Sequence, residues 1–154
     1  TGQVNFSDST DNNWAITGIQ LEVGEQATPF EHRSFGEEER LCHRYYQKIS
    51  RPTGGAFSGV GVGPYNTTTV LFIEANVAAK MRAYPTVGYS ALSDFDIEPF
   101  DAAPSAISLH TSGGNADSNV IRLSVTDPSA RTTGYCGELI VDTEGGYIEF
   151  DSEL

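Results

Sequence analysis

The stretch 34-SFGEEERLCHRYYQKI-49 is where the hydrophobic period of the chain changes, and its reading divides the molecule. Ser34 with Glu37 three residues later forms a capping box, and Glu37, Glu38 and Glu39 place negative charge where a helix dipole favours it. A short helix is therefore predicted to begin here, with residues 34–50 serving as helix and connector. At about 100° per residue, Phe35, Leu41, Cys42, Tyr45, Tyr46 and Ile49 fall within an arc of roughly 140°, with Arg40, His43, Arg44 and Gln47 off it. Cys42 lies near the centre of that stripe and is expected to pack as a small hydrophobe. His43 projects about 100° away, so the pair cannot act as nucleophile and base within one helix. Position 47, one turn beyond His43, holds Gln rather than His, Asp or Cys, which leaves no half of a zinc site. Tyr45 and Tyr46 either end the helix or pass directly into a strand.

Before this stretch, "NWAITGIQLEVG" alternates, with Trp14 and Ile16 in one phase and Ile19, Leu21 and Val23 in the other after a shift near Gly18. That suits a long strand with a bulge. A strand needs a sheet, so residues 1–33 are expected to be the terminal strands of an upstream β-sandwich, or to pair with another chain.

After it, residues 51–154 read as β throughout, with turn signals every eight to twelve residues. In "AFSGVGVGPY", Gly59, Gly61 and Gly63 make a bare face that another backbone could approach. "TTTVLFIEA" is apolar on both faces and marks a central strand. Pro85 relegates the segment after it to an edge or a crossing position. "AISLHTS" should bury Ile107 and Leu109, and "NVIRLSVTD" should bury Ile121, Leu123 and Val125. "GYCGELIVD" and "GYIEFD" flank the turn "TEGG". Seven or eight short antiparallel strands of this kind predict a mainly β chain, whose residues 51–154 form an antiparallel sandwich of jelly-roll type.

Nine Lys and Arg against 21 Asp and Glu give a net charge of -12, and no local run of basic residues offsets it. Nucleic acid is a poor partner for such a chain. No run approaches the length of a membrane span, so no membrane insertion is expected. Cys42 and Cys136 have no Cys-x-x-Cys spacing, and His32, His43 and His110 are scattered, so neither a zinc site nor any other metal or cofactor is indicated. A Cys42–Cys136 disulfide is possible by number alone.

Carboxylates are the first place to look for catalysis. In "SDFDIEPFD", strand alternation would put Asp94, Asp96 and Glu98 on one face and Phe95 and Ile97 on the other, which fits a glycosidase-like pair or a solvated acidic face. The same run, or Asp8, Asp11 and Asn13, could supply oxygen ligands to calcium, although neither follows the order of a calcium loop. "GVGVG" lacks the spacing and the following helix of a phosphate loop, and no Ser-His-Asp set is supported. What remains is recognition: Tyr65, Tyr84, Tyr89, Phe95 and Phe100 lie in or beside turns, where they either stack on sugar rings or close the ends of the core.

Taken together, "WAITGIQLEVGEQATPFEHRSFGEEERLCHRYYQK" resembles a segment found near the C-termini of phage tail fibres and related virion proteins. The matched residues are Trp14, Ile16, Gln20, Leu21, Glu22, Gly24, Ala27, Thr28, Pro29, Phe30, Glu31, Cys42, Arg44, Tyr45 and Tyr46. "MRAYPTV" and the closing "GYIEFDSEL" are similar to two further landmarks of those proteins, whereas His43 stands where they commonly have Gln. The resemblance implies a carbohydrate-binding-like sandwich ending near residue 33, a short helix, and a terminal β-domain that assembles as a homotrimer at a fibre tip. It implies a virion location, contacts with upstream fibre or tail proteins and with a host cell-surface glycan or receptor, and no catalytic residue. On that expectation Phe35, Leu41, Cys42, Tyr45 and Tyr46 are trimer-interface candidates, with the glycine face of residues 59–63 as a second contact.

Overall fold

The computed structural model describes residues 16–26, 28–110 and 119–152. The chain divides into two compact units, Thr1–Ser34 and Phe35–Leu154.

In the first unit, residues 16–26 and 28–34 form neither helix nor strand. The predicted strand is therefore absent from these residues; Trp14 lies outside them. Backbone donors in a strand need a ladder partner, and none of the described residues of this unit supplies one. Gly18 does break the phase, with φ of 69°, and Leu21 and Val23 are fully exposed at 99% and 108%. The polar residues around them form a local, exposed network. The Glu22 carboxylate accepts the Thr28 hydroxyl at 2.6 Å, and the Gln20 carbonyl accepts the Glu31 N–H at 2.9 Å. Hydrogen bonds from Thr28 hold the Glu22 carboxyl below its ordinary value.

The second unit is mainly β, with nine strands among the described residues. After helix α1 (Phe35–Cys42) come β1 (Tyr46–Ser50), β2 (Ser58–Pro64), β3 (Val70–Asn76), β4 (Thr86–Tyr89), β5 (Phe95–Glu98), β6 (Ala106–Leu109), β7 (Val120–Thr126), β8 (Cys136–Val141) and β9 (Tyr147–Asp151). All pairings are antiparallel, in a three-stranded sheet of order β1-β9-β4 and a six-stranded sheet of order β5-β8-β2-β3-β7-β6. One of the two sheets curls into a half-barrel. Leu71, Ile73, Phe95, Ile97, Leu123, Val125, Leu139, Ile148 and Phe150 form the core.

The helix is shorter than its apolar arc suggested. It stops at Cys42, and Tyr46 opens a strand in register with Asp151. In strand alternation Gln47 and Ile49 turn inward while Tyr46 and Lys48 turn out, so the stripe read from Phe35 to Ile49 is not one helical face. Cys42 is exposed, not packed, and both cysteines are free thiols.

The bare face of β2 does admit a backbone, but it is that of the neighbouring strand. A Cβ at Gly61 or Gly63 would collide with the carbonyls of Glu74 and Phe72 on β3. A bulge between Gly59 and Gly61 turns Val60 into the core. β3 sits inside its sheet and β4, after Pro85, is an edge. Ile107, Ile121, Leu123 and Val125 are buried as their alternation required, with Leu109 half-buried. The turn "TEGG" does not close a hairpin, because β8 belongs to the larger sheet and β9 to the smaller. Each pairs where its hydrophobic face meets the core, and the turn carries the chain from one sheet to the other.

Candidate functional site

The five interface candidates run from the start of helix α1 to the first residue of β1. Helix α1 buries none of its residues; Phe35 is 81% exposed, Leu41 is half-buried, and Cys42 is exposed. Tyr45 stands in the turn between helix and strand, where its carbonyl accepts the Ser152 N–H at 2.7 Å. Tyr46 begins the outer face of the three-stranded sheet.

That face is a lattice set by register. Tyr46 lies opposite Asp151, and Asp151 opposite Thr86; Lys48 lies opposite Glu149, and Glu149 opposite Gly88. The Tyr46 hydroxyl donates to Glu149 Oε2 at 2.7 Å, and this hydrogen bond, with some burial, pushes the phenol up to about 12. The Lys48 ammonium lies 3.8 Å from the centre of the Tyr147 ring. A Cβ at Gly88 would come within 2.7 Å of Glu149 Oε1, so the glycine makes room for that carboxylate to lie flat. The outer face of this sheet therefore carries two phenol rings, a cation and two carboxylates.

The turn aromatics divide differently. Tyr65 (1% exposed) and Phe95 (0%) are core residues and cannot meet a ligand. Tyr89 and Phe100 are half-buried against the core, edge-on to Phe95 and Tyr65 with centroids 6.2 and 5.9 Å apart. Only Tyr84 of the five is broadly exposed, and its hydroxyl donates to the His110 carbonyl at 2.7 Å. Large rings beside turns here fill the ends of the core, where burying them stabilises more than any polar contact.

In the acidic run, Phe95 and Ile97 point inward and Asp96 and Glu98 outward, as alternation required. Asp94 is not their neighbour on the strand: it ends a 3-10 turn, Leu92–Asp94, and its carboxylate accepts the Ala91 N–H at 3.1 Å. The Asp96 carboxyl is raised, first by burial and then by the charges of Asp101, Asp142 and Glu98. A groove of about 450 Å³ opens elsewhere, lined by Ile49, residues 59–62, Glu74, Asn76 and Glu138. Glu74 is held by an ion pair with Arg122. Among the described residues no group of three or more His, Cys, Asp or Glu could hold a metal; Asp8, Asp11 and Asn13 lie outside them.

The residues missed at the level of sequence are Lys48, Tyr147 and Glu149. Their outward direction follows from alternation in "YQKIS" and "YIEFD". That these two segments, at opposite ends of the unit, pair with one another carries no local signal. No family model, curated protein or solved structure matches the chain.

Proposed function

We propose that this chain is the distal part of a phage tail fibre, a virion protein that assembles as a homotrimer and takes part in attachment to the host surface. The observation that carries the reading is helix α1, which buries none of its residues and presents Phe35 to solvent. An apolar side chain left exposed is a contact in waiting, and a threefold axis is a simple closed way to satisfy it. The sequence resemblance to fibre C-termini points the same way. So does an antiparallel fold of two sheets, which we read as a sandwich of jelly-roll type. Three weak sites on one rigid tip would act together on a dense receptor, and avidity is the mechanism that follows.

The experiment is light scattering at several concentrations. The proposal expects a mass near three chains, and dissociation of Phe35→Asp and Leu41→Asp variants whose circular dichroism is unchanged. A monomer at every concentration sinks the assembly part. Failure of the purified protein to bind host cells, or to compete with phage adsorption, sinks the attachment part.

A further inference from the structure

Five of the nine Lys and Arg residues, Arg40, Arg44, Lys48, Lys80 and Arg82, lie within residues 40–48 and 77–85, and those two segments contain none of the 21 Asp and Glu. The expectation that no basic cluster offsets the net charge of -12 holds along the sequence and fails in space. The fold lays the segments side by side. The Arg82 N–H donates to the Arg44 carbonyl at 2.6 Å. Buried Gln47 fastens the pair, accepting from the Ala78 N–H at 2.7 Å and donating to the Ala79 and His43 carbonyls at 2.9 Å each.

All five cations are exposed, and Arg40, Arg44 and Arg82 form no ion pair with a described carboxylate. The Arg82 guanidinium stands 5.6 Å from the centre of the Tyr45 ring, and Tyr45, Tyr46 and Tyr84 are exposed among the charges. Along β9 the patch adjoins Asp151 and Glu149, and Glu149 already accepts the Tyr46 hydroxyl.

Like charges held together are unfavourable until an anion joins them. Guanidinium forks match carboxylates in a bidentate way, and phenol rings offer a stacking face. The rest of the molecule carries all the acidic residues, so a long polymer with a charge at every step, such as nucleic acid, is repelled once it leaves the patch. A sugar chain whose carboxylates are spaced by uncharged ring atoms is not.

We infer that the surface formed by Arg44, Arg82 and Tyr45 binds an acidic, carboxylate-bearing polysaccharide. The inference rests on the attachment reading only for where such a polymer is met, namely on the host surface.

The test uses the whole chain and polygalacturonate, with dextran and single-stranded DNA as comparisons, by calorimetry at low and moderate salt. Polygalacturonate is expected to bind and to weaken as salt rises, dextran not to bind, and DNA to bind more weakly. Arg44→Ala with Arg82→Ala should cost about tenfold or more. Arg122→Ala, whose guanidinium is committed to Glu74, should match the parent. Thermal melts of each variant separate lost binding from lost folding. Equal binding by the double variant, equal or tighter binding of DNA, or no binding of polygalacturonate would each overturn the inference. Adsorption to host cells separates the two proposals. If cells are not bound while Arg-dependent polygalacturonate binding persists, the patch stands and attachment falls; if cells are bound equally well by the double variant, attachment stands and the patch falls.

Discussion

Two residues show how much can depend on a single side chain here. Asp127 is 1% exposed and takes three hydrogen bonds, from the Tyr65 hydroxyl at 2.6 Å, Arg131 Nε at 2.8 Å and the Ser129 N–H at 2.7 Å. Burial alone would raise its carboxyl, and the donors from Arg131, Tyr65 and Ser129 outweigh it, so the group sits below its ordinary value. Its contribution to stability is therefore complete above the ordinary carboxylate range and is lost as pH falls through the lowered value. Urea midpoints of the parent should decline between about pH 5 and pH 2 more steeply than those of Asp127→Asn. Asp127→Ala strands a buried phenol and a guanidinium, and should cost about 3 kcal/mol at neutral pH. Gly63 makes the complementary case: an added Cβ has nowhere to go but the Phe72 carbonyl. Gly63→Ala should lower the urea midpoint by the equivalent of about 3 kcal/mol, or prevent folding. The sequence singled out Gly63 as a place of close approach, and only the pairing of β2 with β3 says what approaches.

Among the elements, α1 and β1 are adjacent in sequence and opposite in coupling to the core. α1 has a helix signature at its start and buries none of its residues, so its amides should exchange much faster than those of β3 and β7, measured by hydrogen exchange. Gly36 has open space around it, and Gly36→Ala should slow exchange in α1 by up to about fivefold with little change in the global melt. β1, in contrast, is tied on both sides, to β9 by its ladder and to residues 77–81 by Gln47. Gln47→Leu leaves the Ala78 N–H and two carbonyls unpaired, and should cost about 2 kcal/mol. The boundary between these elements is ambiguous in the sequence because Tyr45, Tyr46 and Ile49 complete a helical arc, whereas the strand turns polar Gln47 inward with Ile49 and leaves Tyr46 outside. What decides is the chance to pair with β9, about a hundred positions away, and local periodicity contains no information about that.

The whole molecule divides after residue 34 into two units, the second of which holds the helix and the nine described strands. Trypsin should first cut between Arg33 and Arg44 and leave the β-fold intact, as read by mass spectrometry of the timed digest. Composition and alternation by themselves determined that the chain is mainly β and antiparallel, which residues of "NVIRLSVTD" and "FDIE" face inward, and that the segment after Pro85 is not a central strand. These are properties of a residue and its near neighbours, where burial of apolar side chains at period two outweighs every other local preference. Tertiary structure alone decided that β8 and β9 part into different sheets, that Tyr65 is core rather than surface, and that positive charge gathers where residues 40–48 meet residues 77–85. Each of these depends on which distant segments share a ladder or a hydrogen bond, and that is settled by how the whole set of apolar faces can be buried at once.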